Sequence, residues 1–147
     1  MMGRNYTVST HIRKPVQEVF DAVVSKDILN KYFTNASSGN LAEGDRIRWH
    51  WNHYGELSIV VNRIVANKLI ELSLDSKEWE KTKDEAYQVL VIFEFESTDD
   101  GGTKMSISEQ GWHTDAEGLK GSHENCSGWT DMAKCMKAWL EHGIDLR

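Results

Sequence analysis

The sequence predicts an α+β domain: a curved antiparallel sheet covered on one face by a long C-terminal helix. Three observations carry this. Between residues 46 and 112 apolar residues recur with period two, as half-buried strands require. From His123 to His142 the period becomes 3.6, enough for a helix of about five turns. The turn D99-D-G-G102 sits between two alternating runs and predicts a hairpin.

The first strand is Y6-T-V-S-T-H11, which alternates. Pro15 suits the first turn of a helix, and Val16, Val19, Phe20 and Val23 then form one apolar stripe. A short second helix is expected over S25-K-D-I-L-N-K-Y-F33, with Ser25 as its cap. The stretch N35-A-S-S-G-N40 reads as a loop. In the second strand Ile47, Trp49 and Trp51 point one way, while Arg46, Arg48, His50 and Asn52 point the other, with both arginines solvated. A turn at 52–55 leads into L57-S-I-V-V-N-R-I64, and L69-I-E-L-S-L74 follows with Ile70, Leu72 and Leu74 in register. The charged segment 76–85, with Trp79 its one large apolar member, reads as a loop. Tyr87, Val89, Val91, Phe93 and Phe95 share one face of the fifth strand. The returning strand T103-K-M-S-I-S-E-Q-G-W112 turns Met105 and Ile107 inward, and a loop is expected from Trp112 to Gly121. On the last helix Trp129, Met132, Ala133, Met136, Trp139 and Leu140 share one side, with Asp131, Lys134, Lys137 and Glu141 on the other. The expectation is thus six strands, with two helices inserted between the first and second.

The chain of 147 residues suits one domain, 1–147, and its 39% hydrophobic and 27% charged content is that of an ordinary globular protein. A net charge of -6 without a dense basic cluster argues against nucleic-acid binding. No run approaches the ~20 apolar residues of a membrane span. The N-terminal residues lack an apolar stretch of signal-peptide length, so a cytoplasmic location is expected. Cys126 and Cys135 lie nine residues apart; on a helix that is about 13 Å with the side chains on opposite sides, too far for a disulfide.

Several segments resemble the Hsp90-ATPase-activator-homologue family of the START/Bet v 1-like superfamily. They are I12-R-K-P-V-Q-E-V-F20, D99-D-G-G-T103, I107-S-E-Q-G-W112 and the helix segment at G128-W129. Their order and spacing cover the chain from about residue 6 to residue 143. The resemblance implies a helix-grip fold, in which the sheet wraps the C-terminal helix and leaves a cavity between them. It implies relatives that bind hydrophobic ligands, carry lipids, or act as polyketide cyclases or aromatases. The eukaryotic activator adds a separate N-terminal domain that also contacts Hsp90. This chain leaves no room for that domain, so the co-chaperone role is not expected to follow.

The dense stretch G44-D-R-I-R-W-H-W-N-H-Y-G-E-L57 holds His50 and His53, which a strand places on opposite faces. No third ligand stands at suitable spacing, so no metal is expected there. The aromatic and methionine residues are the stronger signal. Trp49, Trp51, Tyr87, Phe93, Met105, Trp112, Trp129, Met132 and Met136 either fill the core or line a cavity for an apolar ligand. Glu109 falls in the inward register after Met105 and Ile107, at the end near Trp112. Buried without a cation, its pKa should rise. It would then orient a ligand or move a proton; otherwise it reaches solvent or pairs with a base.

No catalytic triad, CxxC pair, HExxH or phosphate loop is present; G39-N-L-A-E-G44 lacks the lysine and context of a P-loop. The expected function is therefore non-enzymatic binding of a small hydrophobic, amphipathic or lipid-like molecule, with no cofactor, by a monomer or weak homodimer. The alternatives are a cyclase-type enzyme using Glu109, and a protein-interaction module, with a chaperone contact as one form of it.

Overall fold

The computed structural model describes residues 3–76 and 86–147. The expected charged loop with Trp79 falls mostly outside them. The elements are β1 (Tyr6–Ile12), α1 (Val16–Val24), α2 (Lys26–Leu29), β2 (Ala36–Ser37), β3 (Arg46–Trp51), β4 (Gly55–Val65), β5 (Leu69–Asp75), β6 (Gln88–Ser97), β7 (Thr103–Gln110) and α3 (Ala116–His142). The strands form one antiparallel sheet in the order β1-β7-β6-β5-β4-β3-β2. Apart from the closing of β1 onto β7, every neighbour in the sheet is a neighbour in sequence. Alternation decides which face is covered: Ile47, Trp49 and Trp51 are buried on β3, and Val89, Val91, Phe93 and Phe95 on β6. Helix α3 lies on that face, with Trp129, Met132, Ala133 and Met136 buried. The Trp129 ring meets Phe93 edge to face at 5.5 Å and Trp49 at 6.4 Å. This is the helix-grip arrangement.

Four expectations need correction. The sheet has seven strands, because Ala36 and Ser37, read as loop, pair with His50 and Trp49. Two residues are too few to show a period. The second helix stops at Leu29 rather than Phe33, and the Ser25 side chain makes no cap. The Asn40 side chain instead accepts from the Lys26 N–H at 2.9 Å. Helix α3 begins at Ala116, seven residues before the apolar period starts, and its 27 residues make about 7.5 turns. Its first turns are glycine-bearing and lack the stripe, but Asp115 caps them by accepting from the Gly118 N–H at 2.8 Å.

Glu141 lies on the polar side of α3 with Lys137, as the period predicts, and is covered there by its partners. Its side chain is only 3% exposed and holds Arg13 at 3.0 Å and Lys137 at 2.6 Å, which clasps the β1–α1 turn to the end of α3. Burial pushes its pKa up, but donors from Lys137 and Arg13 outweigh that and lower it from 4.5 to about 2. A depressed carboxylate stabilises the fold above its ordinary pKa and loses that contribution as pH falls through the folded one. The stability advantage over Glu141→Gln should therefore be constant above about pH 4.5 and shrink toward pH 2 in denaturant titrations. An advantage independent of pH would show that the clasp is not ionic. At the centre of the face, Trp49 is fully buried. Trp49→Ala should cost roughly 3–5 kcal/mol by the same measurement, the usual cost of truncating a buried large aromatic.

Candidate functional site

The site has two connected parts, a buried carboxylate cluster and an aromatic hollow. The cluster begins where β7 ends. Gly111, at φ 107°, turns the chain out of the strand. A Cβ there would stand 2.9 Å from the Gln88 carbonyl oxygen, so the turn demands glycine twice over. The turn brings Trp112 back under the sheet, where Asn5 clamps its backbone: the Trp112 N–H donates to Asn5 Oδ1 at 3.0 Å, and Asn5 Nδ2 donates to the Trp112 carbonyl at 3.2 Å.

Glu109 is fully buried, as the inward register requires. Trp112 Nε1 donates to its Oε1 at 2.7 Å. Trp129 Nε1 and Asn125 Nδ2 donate to its Oε2 at 2.8 and 3.1 Å. Asn125 and Trp129 are four apart on α3 and so share one helix face. Tyr6 stands directly opposite Glu109 in the β1–β7 ladder. Its hydroxyl faces the carboxyl but lies outside hydrogen-bond geometry, leaving Oη buried without a partner among the described residues. Burial raises the Glu109 pKa, and the surrounding donors pull it partly back. The Tyr6 hydroxyl is raised too, first by burial and then by the charge of Glu109. None of the groups that shift Glu109 is cationic.

The hollow opens on the other side of Trp129 and Asn125, between α3, the end of β3 and the segment after α2. Its volume is about 290 Å³. Its floor consists of buried Tyr32, Trp51, Asn125, Trp129 and Met132, with half-buried Phe33; exposed His53, Tyr54, Glu124, Asp131 and Arg147 form the rim. The Tyr32 hydroxyl donates to the Ala22 carbonyl at 2.9 Å, so Tyr32 offers the hollow its ring.

Of the residues expected to line a cavity, Trp51, Trp129 and Met132 border this hollow. Trp49, Phe93, Met105 and Met136 are solid core behind them, each with no exposed surface. Tyr87 and Trp112 lie at the Glu109 end, in edge contact at 6.2 Å, and Tyr87 stacks on His113 at 3.7 Å. Glu109 sits behind the wall rather than on it. Sequence reasoning missed Tyr32, Phe33, Tyr54 and Arg147. The first two belong to a turn that was read as helix, and the period of a single element cannot show the convergence of the others. His50 lies on the outer face beside Asn52, 3.2 Å away, while His53 is on the rim. Among the described residues no group of three potential ligands is placed to hold a metal, and no helix is long and apolar enough to cross a membrane. Both cysteines are free thiols.

With this geometry in hand, comparison with known proteins is informative. The sequence profile of the family described as "Activator of Hsp90 ATPase homolog 1-like protein" matches residues 13–141. Among solved structures the chain is similar to protein SSP2350 from Staphylococcus saprophyticus, with TM-score 0.76 and 24% identity over 96% of this chain and 94% of that one. Protein MLL2253 from Mesorhizobium loti gives 0.79 and 16% over 95% and 98%. The Aha1 dimer from Colwellia psychrerythraea, a solution structure, gives 0.74 and 20% over 93% and 96%. At these identities the likeness shows the fold. No curated protein in the comparison matches.

The cluster predicts its own sensitivity. In Glu109→Gln one acceptor oxygen becomes a donor, which strands an indole or the Asn125 amide. The loss should be about 1–3 kcal/mol, the cost of a buried unpaired donor, read by chemical denaturation. The sign of the pH dependence follows from the raised pKa: the stabilising contribution is complete below the ordinary carboxylate range and declines as pH rises through the folded pKa. The advantage of the wild type over Glu109→Gln should therefore be largest in acid and narrow as pH rises. An advantage that grows with pH would contradict the raised pKa.

Proposed function

The chain belongs to the activator of Hsp90 ATPase homolog 1-like family, and on that scaffold we propose that it binds one small hydrophobic or amphipathic molecule in the hollow between Trp51 and α3. The family fold is a ligand-binding type of scaffold, and this chain's hollow is the observation that carries the reading: about 290 Å³ with aromatic rings for a floor and an exposed mouth. Binding sites for small molecules are concave, mostly apolar clefts that start at about this size. The rings are held by the core behind them: Phe33 meets Trp51 at 5.2 Å and Trp49 at 5.9 Å, both edge to face. Apolar atoms placed on that floor leave water, and rings already packed against the core need less ordering on binding than free side chains would.

In this reading Glu109 performs no chemical step. Both of its oxygens accept N–H donors, and it is absent from the wall. It is a positioning residue that sets the angle of Trp129. Lipid-like ligands fit only by part of their length in so short a hollow. A cytoplasmic location and a monomer or weak homodimer complete the proposal; the dimeric Aha1 of Colwellia psychrerythraea supports testing the second form.

Gly128 offers a clean test. It lies on the hollow, on the exposed side of α3, and a Cβ there would meet nothing within 4 Å. Gly128→Leu should fill the mouth while adding up to about 1 kcal/mol of helix propensity. Titration with the neutral apolar dye Nile red should show saturable binding to the wild type, at least about tenfold weaker in the variant (~1.4 kcal/mol). Equal binding to both proteins would place the ligand elsewhere, and no saturable binding to the wild type would overturn the reading.

A further inference from the structure

The floor of the hollow is mostly rings, and Asn125 sets one amide among them. Asn125 is only 3% exposed, yet it borders the hollow. Its two ends are not equivalent. An indole N–H can only donate, so both Glu109 oxygens act as acceptors toward Trp112 and Trp129. Asn125 therefore turns its nitrogen to Oε2, at 3.1 Å, behind the wall. Its carbonyl oxygen is the end left to the hollow, and it accepts no hydrogen bond among the described residues. Two neighbouring donors are spent elsewhere: the Tyr32 hydroxyl on the Ala22 carbonyl, the Trp129 N–H on Glu109.

The direction of this amide is fixed. An unrestrained asparagine can turn over and offer either an acceptor or two N–H donors. Here a turn would set the amide oxygen against a carboxyl oxygen and remove one of the three donors that Glu109 holds. Glu109 thus orients Asn125 as it orients Trp129, and the hollow presents an acceptor to whatever enters. A buried carbonyl oxygen left without a donor is costly. A ligand that brings an O–H or N–H satisfies it. A purely apolar ligand displaces water from it and leaves it stranded.

We propose that the ligand of this hollow carries a neutral hydrogen-bond donor, a hydroxyl or a ring N–H, on an apolar body, and that Asn125 Oδ1 is the acceptor that selects it. The donor would sit at Oδ1, with the apolar body against Trp129 and Met132. This inference rests on the binding role proposed above, and the experiment separates the two.

Two matched pairs of probes serve, read by displacement of Nile red: indole against its carbon isostere indene, and 2-naphthol against 2-methylnaphthalene. The donor of each pair should bind at least about fivefold more tightly, the scale of one hydrogen bond made against one lost. A plain apolar hollow gives the reverse order, because the hydrocarbons leave water more readily. In Asn125→Ala the preference should vanish. A second measurement needs no variant. In the wild type the side-chain carbonyl carbon of Asn125, followed by carbon-13 NMR, should shift with indole and 2-naphthol and much less with their isosteres. If the hydrocarbons bind as tightly as the donors, or if the donors fail to displace a dye that does bind, the donor class is wrong while the binding role stands. A preference that persists in Asn125→Ala, or that leaves the Asn125 carbonyl unmoved, would overturn the assignment of the acceptor. If neither Nile red nor any probe binds, both proposals fall.

Discussion

One carboxylate ties the sheet to the helix. Glu109 sits near the end of β7, where alternation must turn it inward, and there it gathers Trp112 from the turn, and Asn125 and Trp129 from α3. A helix laid on an apolar sheet can slide and rotate at little cost, because dispersion and burial are not directional. Three N–H donors converging on two oxygens are directional. They set the rotation of α3 about its own axis, and with it which residues face Trp51 across the hollow. The opposite end of α3 is held by another acid, Glu141, between Arg13 and Lys137.

The two acids show how surroundings decide the state of a carboxylate. Glu141 meets cations and is held well below the usual range; Glu109 meets only neutral donors in a buried place and is raised. Neutral donors recover part of the cost of burying a carboxylate, though less than a paired cation would. The arrangement gains geometry rather than charge balance. It presents the Trp129 ring to the hollow while its N–H is held on the other side, so Trp129 offers a ligand a ring face without an unsatisfied polar atom of its own.

Much of this was legible in the sequence. Period two placed Trp49, Trp51 and Glu109 on the buried face, and the 3.6 period placed Trp129, Met132 and Met136 against them. What period cannot carry is convergence. Nothing local joins Glu109 to Asn125, 16 residues on, or brings Arg147 to the Asn30 and Thr34 carbonyls. Elements without a stripe also escaped notice, namely the two-residue β2 and the first turns of α3, which a cap rather than apolar spacing begins. The Glu141 clasp was not visible either, because a face defined by helical period does not reveal a basic residue arriving from the β1–α1 turn.

The central claim is that a ligand rests between Trp51 and Trp129 while Glu109 holds the second from behind. With six tryptophans in the chain, indole N–H resonances in a nitrogen-15 correlation spectrum report on this directly. Assigned by substitution and followed as Nile red is added, the Trp51 and Trp129 signals should move together and saturate at one equivalent of ligand. Trp112, on the far side of the carboxylate, should move less. Saturable binding that leaves Trp51 and Trp129 unmoved, or that shifts Trp112 alone, would contradict the account.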